Sequence, residues 1–263
     1  MNYPETLAWI HGTERFGSRL GLGRMGRLLH RMGDPHLKVP YIHVAGTNGK
    51  GSTTTMIASA LTAGGFKTGK FISPFILEFR ERMQIDGEMI PEETLAALAT
   101  RLRPIAEEFK AAGDPPTEFE LVTVLGLTWF AEASCDIAVL EVGLGGRLDA
   151  TNIIPPPLVA VITRIDYDHT AILGDTLAAI AGEKCGILKR GGTVICYPDQ
   201  EEEALAVIRR RAKEEDDPLI RPDRTALSVL AADMTGTLRY TVDTVGEGSV
   251  KVEILDAEDR IVA

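Results

Sequence analysis

The stretch VPYIHVAGTNGKGS, residues 39–52, decides the fold of this chain. Its first seven residues are mainly apolar and stop at a glycine, which is typical of a buried strand. Residues 52–63 are rich in Ala, Ile, Met and Leu and precede two glycines, so they predict a helix with a glycine stop. Residues 66–72 have the pattern of a second strand. Strand, glycine turn, helix and strand make a βαβ unit, which predicts a parallel sheet.

The alternation of helices and strands continues through most of the chain. Apolar patterns predict helices at residues 91–112, 119–133, 176–188 and 201–215, and strands at residues 136–142, 158–163 and 192–196. Residues 238–242 and 250–255 alternate polar and apolar side chains on either side of Gly246-Glu247-Gly248, which predicts a β-hairpin. The predicted fold class is therefore α/β: a mostly parallel sheet flanked by helices, with a β-rich part at residues 225–263.

The composition excludes several classes of protein. A length of 263 residues suits one large domain, and a net charge of −10 argues against a nucleic-acid binder that works by bulk electrostatics. The apolar runs break before the ~20 residues that a spanning helix needs, and the first residues lack the pattern of a signal peptide. The three cysteines are widely spaced and fit neither a disulfide framework nor a zinc cluster. We expect a cytoplasmic monomer without nucleic-acid or membrane partners.

The glycine-rich turn predicts a binding site for the phosphates of ATP. A turn that follows a strand and opens a helix directs backbone N–H groups and the positive end of the helix dipole at an anion. The turn departs from the Walker pattern, because Val44 replaces a glycine and Gly51 stands where Ser or Thr is expected. The alternative is a plain strand-to-helix turn with an exposed lysine. The predicted ATP-binding residues are Gly46, Thr47, Asn48, Gly49, Lys50, Gly51 and Ser52.

Several further motifs follow the turn in order along the chain. The most specific is EVGLGGRLDATN at residues 141–152. The others are SP at 73–74, ERM at 81–83, TEFE at 117–120, DH at 168–169, LGDT at 173–176 and EKCGI at 183–187. Together with GTNGKGS at 46–52, they resemble the folylpolyglutamate synthase/dihydrofolate synthase family, a branch of the Mur ligase superfamily. The resemblance covers roughly residues 15–196 and implies the P-loop NTPase-like fold of the Mur ligase central domain.

The resemblance implies a ligase that joins a folate-type carboxylate to L-glutamate. ATP, with Mg²⁺, would convert the carboxylate of dihydropteroate or of a reduced folate into an acyl phosphate, which the amine of glutamate then attacks. Each step moves charge on oxygen, so the protein must supply cations and positioned donors. By resemblance the catalytic residues are Lys50, Glu141, His169 and Lys184. The implied Mg²⁺ ligands are Ser73, Glu141, His169 and, if it is carbamylated, Lys184.

The residues themselves leave alternatives beside these roles. Glu141 ends a buried strand, where ligands collect in open α/β sheets, but a salt bridge to an arginine would also satisfy it. A single histidine such as His169 is more often structural than a ligand, and Mg²⁺ prefers oxygen. Lys184 could equally be a surface lysine paired with Glu183 or Asp175.

The resemblance also implies a binding site for the flat pterin ring. It points to residues 21–25 and to Thr117, Phe119, Glu120, Leu148, Asp149 and Ala150. Phe119 would form an aromatic wall, although ordinary helix core is the alternative. The arginines between Arg19 and Arg31 could belong to this site or to a solvated basic face.

Members of the family carry a second α/β domain, and its motifs are absent from this sequence. We therefore expect residues 1–263 to be a Mur ligase-type ATP-binding domain whose C-terminal ligase domain is absent, with weak nucleotide binding and little ligation by itself. Two other functions remain open: a Mur-type ligase that adds an amino acid to a cell-wall nucleotide, and a non-catalytic nucleotide- or folate-binding fragment. Gly51 and the LGGRLDATN run speak against the cell-wall ligase.

Overall fold

The computed structural model describes residues 1–13, 21–222, 239–244 and 250–255. The chain divides into two compact units, Met1–Arg221 and Pro222–Ala263. Within the described residues, no helix is both long and apolar enough to cross a membrane.

Helices and strands alternate through the first unit. The helices are α1 (Tyr3–His11), α2 (Gly23–Arg31), α3 (Lys50–Ala63), α4 (Glu92–Ala111), α5 (Glu118–Glu132), α6 (Thr170–Leu173), α7 (Leu177–Lys184) and α8 (Glu202–Glu215). The strands are β1 (Tyr41–Ala45), β2 (Thr68–Phe71), β3 (Met83–Ile85), β4 (Glu88–Met89), β5 (Ile137–Glu141), β6 (Val159–Ile162), β7 (Thr193–Cys196) and β8 (Leu219–Ile220). Every helix and strand predicted for this unit is present, with ends that differ by a few residues.

These strands form one sheet in the order β4-β3-β2-β5-β1-β6-β7-β8. The pairs from β2 to β8 are parallel, which confirms the predicted α/β sheet. Strands β3 and β4 run antiparallel at one edge. The sequence analysis did not predict them, because three and two residues are too few to show a periodic pattern.

Strand β1 lies in the middle of the sheet and is buried along its whole length. Ile42 and Val44 pack in the cluster that includes Ala58 of α3, whereas Tyr41 packs in the larger cluster with residues of α4 and α5. The sheet is thus covered on both faces, as a parallel sheet requires. The carboxyl end of β1 opens directly into the glycine-rich turn.

The N-terminal helices were not predicted from the sequence. The Asn2 side chain accepts the Glu5 N–H and the Glu5 carboxylate accepts the Asn2 N–H, so the two residues form a capping box at the start of α1. Helix α2 buries Met25, Leu28 and Leu29. Arg24 is buried as well, which corrects the interpretation of a wholly solvated basic face; Arg19 lies outside the described residues.

The second unit contains the hairpin that the sequence predicted. Strands β9 (Arg239–Thr244) and β10 (Val250–Leu255) pair antiparallel, with Val242 opposite Val252. Gly246-Glu247-Gly248 and the remainder of residues 225–263 lie outside the described residues.

Candidate functional site

The glycine-rich turn lies at the carboxyl end of β1 and is held by β6 and the residues after it. Gly46 has a φ of 154°, and a Cβ there would lie 1.8 Å from Thr163 Oγ1, so only glycine fits. The Thr47 N–H donates to the Arg164 carbonyl at 2.8 Å, and the Thr47 hydroxyl donates to the Asp166 carbonyl at 3.0 Å. Gly49, with a φ of 82°, is the N-cap residue that immediately precedes α3. The turn is therefore fixed before any ligand arrives.

Two lysines lie beside this turn. Lys50 is half-buried and donates to the Thr47 carbonyl at 3.2 Å. Lys184, only 4% exposed at the end of α7, donates to the Gly46 carbonyl at 2.7 Å. Burial, with the nearby charge of Lys50, lowers the pKa of Lys184 to about 8. Neither lysine forms an ion pair with a described residue, so neither ammonium group is held by a carboxylate within ion-pair distance.

Glu141 faces the same turn from the carboxyl end of β5. It is 6% exposed, and its Oε2 accepts the Ser73 N–H at 3.0 Å. Its Oε1 accepts no hydrogen bond from the described part of the chain. Burial raises the pKa of Glu141, and Ser73 and Lys50 offset part of that rise. No arginine pairs with Glu141 among the described residues, so the salt-bridge alternative lacks a partner there.

Ser73 is held by a residue that the sequence analysis gave no separate role. Arg82 Nη1 donates to Ser73 Oγ at 2.9 Å, and the Arg82 guanidinium lies 5.1 Å from the centre of the Phe75 ring. The neighbouring Glu81 accepts the N–H groups of Ile76, Leu77 and Glu78 at 2.7 to 2.9 Å. The SP and ERM motifs are therefore two parts of one fixed loop.

The donors at this point suit Mg²⁺. Glu141 Oε1 is an oxygen without a hydrogen bond from the described residues, and Ser73 adds a hydroxyl. A Cβ at Gly51 would lie 3.3 Å from Glu141 Oε2, so the glycine leaves room in front of the carboxylate. Within the described ranges, no group of three or more His, Cys, Asp or Glu side chains is placed to hold a metal.

His169 is placed differently from the other predicted site residues. It starts α6 in the left-handed conformation, with a φ of 48°, and its side chain is 56% exposed. Its ring nitrogen lies 3.6 Å from Asp168, whose charge in turn raises the pKa of Lys184. His169 thus lies on an exposed turn near Lys184, and its metal role stays a prediction.

Thr117 and Glu120 form the start of α5. The Thr117 side chain caps the helix, and Glu120 Oε2 accepts the Thr117 N–H at 2.8 Å. Arg24 Nε donates to the Glu120 oxygens at 2.8 and 3.0 Å, and Arg24 Nη1 donates to Asp114 at 2.6 Å. Both oxygens of Glu120 therefore have partners within the chain, and its side chain is buried.

Phe119 is half-buried and lies against the turn that follows β5. A Cβ at Gly143 would be 2.6 Å from the Phe119 ring, and the Phe71 ring lies 6.1 Å away, centre to centre, in an edge-on arrangement. Phe119 therefore connects α5 to the EVGLGGRLDATN segment instead of lying wholly in the core of the helix layer.

Leu148, Asp149 and Ala150 lie in the same segment, and Asp149 connects back to its beginning at Gly143 and Leu144. Asp149 is buried and accepts the N–H groups of Leu144 at 2.8 Å and Thr151 at 2.9 Å, and the Thr151 hydroxyl. Ala150 is buried and Leu148 is half-buried. Asp149 therefore organises the turn, and Leu148 is the more accessible of the three.

The EVGLGGRLDATN and EKCGI motifs, which are distant in sequence, pack against each other. Gly146 and Gly186 allow their backbones to come into contact. A Cβ at Gly146 would lie 2.7 Å from the Lys184 carbonyl oxygen, and a Cβ at Gly186 would lie 2.4 Å from Arg147 Cα. Arg147 also pairs with Glu183 at 2.9 Å. The turn after β5 is thus packed directly on the backbone that carries Lys184.

This arrangement has close counterparts among known proteins. Residues 44–217 match the Mur ligase middle domain. The chain belongs to the Mur ligase family. It is 45% identical over 213 residues to the dihydrofolate synthase/folylpolyglutamate synthase of Bacillus subtilis, covering 80% of this chain and 49% of the relative. It is 42% identical over 229 residues to the folylpolyglutamate synthase of Lacticaseibacillus casei, covering 85% of this chain and 52% of the relative.

Solved structures agree with the sequence relatives. A complex of FPGS with AMPPCP and folate superposes with a TM-score of 0.81 at 36% identity, covering 98% of this chain and 60% of that one. These relatives confirm the predicted resemblance to the folate branch of the Mur ligase family and the predicted fold. The chain spans about half the length of the curated relatives it matches.

Three residues of this Mur ligase site escaped the sequence analysis: Arg82, Thr163 and His43. Arg82 was quoted within a motif, but its contact with Ser73 depends on the folded loop. Thr163 limits Gly46 to glycine through a contact across the sheet. His43 alone gave a readable signal, since a histidine within a buried apolar strand needs a polar partner.

Proposed function

We propose that this chain is the nucleotide- and folate-binding part of an ATP-dependent ligase that joins a folate-type carboxylate to L-glutamate. One observation carries the proposal: two lysines without ion-pair partners, Lys50 and Lys184, lie with the buried carboxylate Glu141 around one rigid glycine turn. A plain strand-to-helix turn has no need for such an arrangement. The names of the relatives, and the FPGS complex with AMPPCP and folate, support the choice of nucleotide and substrate class.

In the proposed reaction the turn positions the triphosphate of ATP. Backbone N–H groups at the start of α3 bind phosphate oxygens, and Lys50 neutralises the charge that develops when the terminal phosphoryl group moves to the substrate carboxylate. Glu141 and Ser73, together with His169 and the carbamate of Lys184, would hold Mg²⁺, which would polarise the phosphate oxygens. The amine of glutamate then forms the amide bond and phosphate leaves. Lys184, and His169 on its exposed turn, complete the proposed catalytic set.

The substrate side of the site is proposed to lie between α5 and the turn at residues 143–150. Phe119 and Leu148 would form the apolar wall for the pterin ring, and the buried Thr117, Glu120, Asp149 and Ala150 would shape the pocket behind them. Dihydropteroate or a reduced folate is the proposed acyl donor.

We also propose a monomeric protein of the cytoplasm. The supporting observation is that Cys135, Cys185 and Cys196 are all free and buried, which suits a reducing compartment. Sedimentation of the purified chain at two concentrations would test the first part, because a mass that rises with concentration contradicts a monomer.

Replacing Glu141 by glutamine should remove the Mg²⁺ dependence of nucleotide binding. Glutamine keeps the shape of the side chain but loses the charge, so affinity for AMPPCP with Mg²⁺ should fall about 10–100-fold, towards the value in EDTA. Calorimetric titration with and without Mg²⁺ measures this difference. Glu93→Gln, an exposed position on α4, is the matched control. An unchanged Mg²⁺ dependence in Glu141→Gln would exclude Glu141 as a ligand.

Lys184 should take up CO₂ when bicarbonate is supplied. The neutral amine nitrogen forms a bond to the carbon of CO₂ and loses one proton to solvent, which leaves a carbamate with one negative charge. A pKa of about 8, against an ordinary value of 10.5, makes the neutral amine far more abundant at pH 7.5. Uptake should therefore increase as the pH rises towards and past 8, and decrease below it.

Native mass spectrometry measures the carbamate as the added mass of one CO₂ that is lost on acidification. Lys189 is a matched control, because burial also lowers its pKa to about 8 while its ammonium donates to two carbonyls. The mass gain should vanish in Lys184→Arg and persist in Lys189→Arg. A chain that gains no mass at saturating bicarbonate would contradict the proposed carbamate.

Amide formation tests the function as a whole. The chain is incubated with ATP, Mg²⁺, labelled glutamate and dihydropteroate or a reduced folate, alone and with the C-terminal half of a family member supplied in trans. Glutamylated product in the second mixture supports a folate-type ligase. Product only from a cell-wall nucleotide would favour a Mur-type ligase, and binding without product in any mixture would favour a non-catalytic module.

A further inference from the structure

His43 is a fully buried histidine in the middle of the central strand β1. Its Nε2 lies 2.8 Å from the Thr151 hydroxyl oxygen, on the segment that follows β5. Its Nδ1 is buried and has no hydrogen-bond partner among the described residues. Burial lowers the pKa of His43 to about 3, so the ring is neutral at physiological pH.

The direction of the hydrogen bonds follows from the chemistry of the three groups. Burial raises the pKa of Asp149, and the hydrogen bonds that its oxygens accept from Thr151, Leu144 and Gly143 offset part of that rise by stabilising the ionised form. An ionised carboxylate only accepts, so the Thr151 hydroxyl donates its single hydrogen to Asp149. The Thr151 oxygen can then only accept from His43. His43 must therefore carry its proton on Nε2. The unpartnered Nδ1 is then the unprotonated nitrogen, with a free lone pair. The three side chains form a relay with one direction, from His43 through Thr151 to Asp149.

The relay ends on the turn that contacts Phe119. Asp149 accepts the Leu144 N–H at 2.8 Å, which fixes the backbone next to Gly143. Gly143 in turn lies against the Phe119 ring, where a Cβ would come within 2.6 Å. A chain of direct contacts thus runs from the core strand to the aromatic side chain at the proposed substrate wall.

We propose that His43 is a positioning residue that sets the affinity for a pterin-class ring without touching it. Through Thr151 and Asp149 it fixes the turn at residues 143–150, and with it the position of Phe119. The ligand class rests on the proposed function, whereas the relay rests on the contacts alone.

Three variants test the relay. His43→Leu removes the donor, His43→Gln offers an amide N–H in its place, and Thr151→Val removes the hydroxyl at nearly constant shape. Calorimetric titration of the chain should show about tenfold weaker binding of dihydropteroate in His43→Leu and in Thr151→Val, with unchanged binding of AMPPCP. His43→Gln should recover most of the loss. The double variant His43→Leu/Thr151→Val should be no weaker than the single ones, because both break one chain of bonds.

A merely structural histidine would give a different pattern. The proposal would be overturned if the variants bound both dihydropteroate and AMPPCP more weakly. It would also be overturned if His43→Gln bound dihydropteroate no more tightly than His43→Leu. Parent-like dihydropteroate binding in Thr151→Val, a variant that keeps the proposal testable should His43→Leu fail to fold, would overturn it as well.

Two measurements separate the relay from the identity of the ligand. Nitrogen NMR should show His43 as the Nε2–H tautomer without titration between pH 5 and 8, and the Nδ1–H tautomer would overturn the relay. Amide exchange at Leu144 should be faster in Thr151→Val than in the parent, and equal rates would overturn it too. A parent chain that binds AMPPCP but no pterin would contradict the proposed substrate, while these two measurements still decide whether the relay exists.

Discussion

Replacing Lys50 by alanine should abolish ATP turnover while leaving the fold intact. The ammonium is the first side chain of α3, lies beside the rigid turn and has no ion-pair partner among the described residues, so its removal takes away charge stabilisation that no neighbour replaces. Loss of one such positioned group costs about 10²–10³ in rate. The fold should survive because Lys50 contributes one hydrogen bond, to the Thr47 carbonyl.

This expectation is tested by measuring phosphate release in the presence of ATP, glutamate, dihydropteroate and the C-terminal half of a family member supplied in trans. Lys213→Ala is the matched control, because that lysine is exposed near the end of α8, away from the turn. Equal thermal midpoints for both variants and the parent would show that the fold is intact. Full turnover in Lys50→Ala would refute the phosphate site.

Replacing Gly186 by alanine should unfold or rearrange the site. The new Cβ would lie 2.3 Å from Arg147 Cβ and 2.8 Å from Arg147 N, and a backbone atom cannot move aside as the tip of a flexible side chain can. Such overpacking costs about 1–3 kcal/mol, and the contact with backbone atoms favours the upper end of that range. Relief of the clash would push the turn at residues 143–150 away from Lys184. We therefore expect weaker binding of AMPPCP and of dihydropteroate, in addition to a lower free energy of unfolding.

Gly182 provides the control in the same region. It lies within α7, and a Cβ there would meet no atom within 4 Å. Gly182→Ala should therefore be neutral or stabilise the chain by about 0.5–1 kcal/mol, since alanine has less freedom to lose in a helix. Urea unfolding of both variants measures the contrast. Similar stabilities for the two would show that the contact between residues 186 and 147 is looser than the structure indicates.

The parallel core could be predicted from the sequence because its signals are local. The apolar run that ends at Gly46, and the helix that follows it, occupy neighbouring residues, and each element shows its own period. The short edge strands β3 and β4 could not be predicted in this way, since they are defined by pairing with β2. Helix α1 was also missed, although Asn2 and Glu5 have the residue types and spacing of a capping box.

For the candidate site, too, local motifs could be predicted from the sequence, whereas contacts between distant segments could not. The motifs marked Lys50, Glu141 and Lys184 as candidates, and the structure gathers these three around one turn. It also gave Glu120 partners in Arg24 and Thr117 that occupy both of its oxygens, a fact that no local pattern contains. His169 remained on an exposed turn, where its part in catalysis is still a prediction.

The sequence by itself determined the alternation of the parallel core strands with their helices, the glycine turn and the family, because these depend on residues close together in the chain. Only the tertiary structure decided which distant segments touch: Arg82 with Ser73, Gly186 with Arg147, and His43 with Thr151 and Asp149. It also left Lys50 and Lys184 without ion-pair partners in the described part of the chain. The physical reason is that such contacts depend on the order of strands in the sheet and on the space between backbones, which periodicity along the chain does not record.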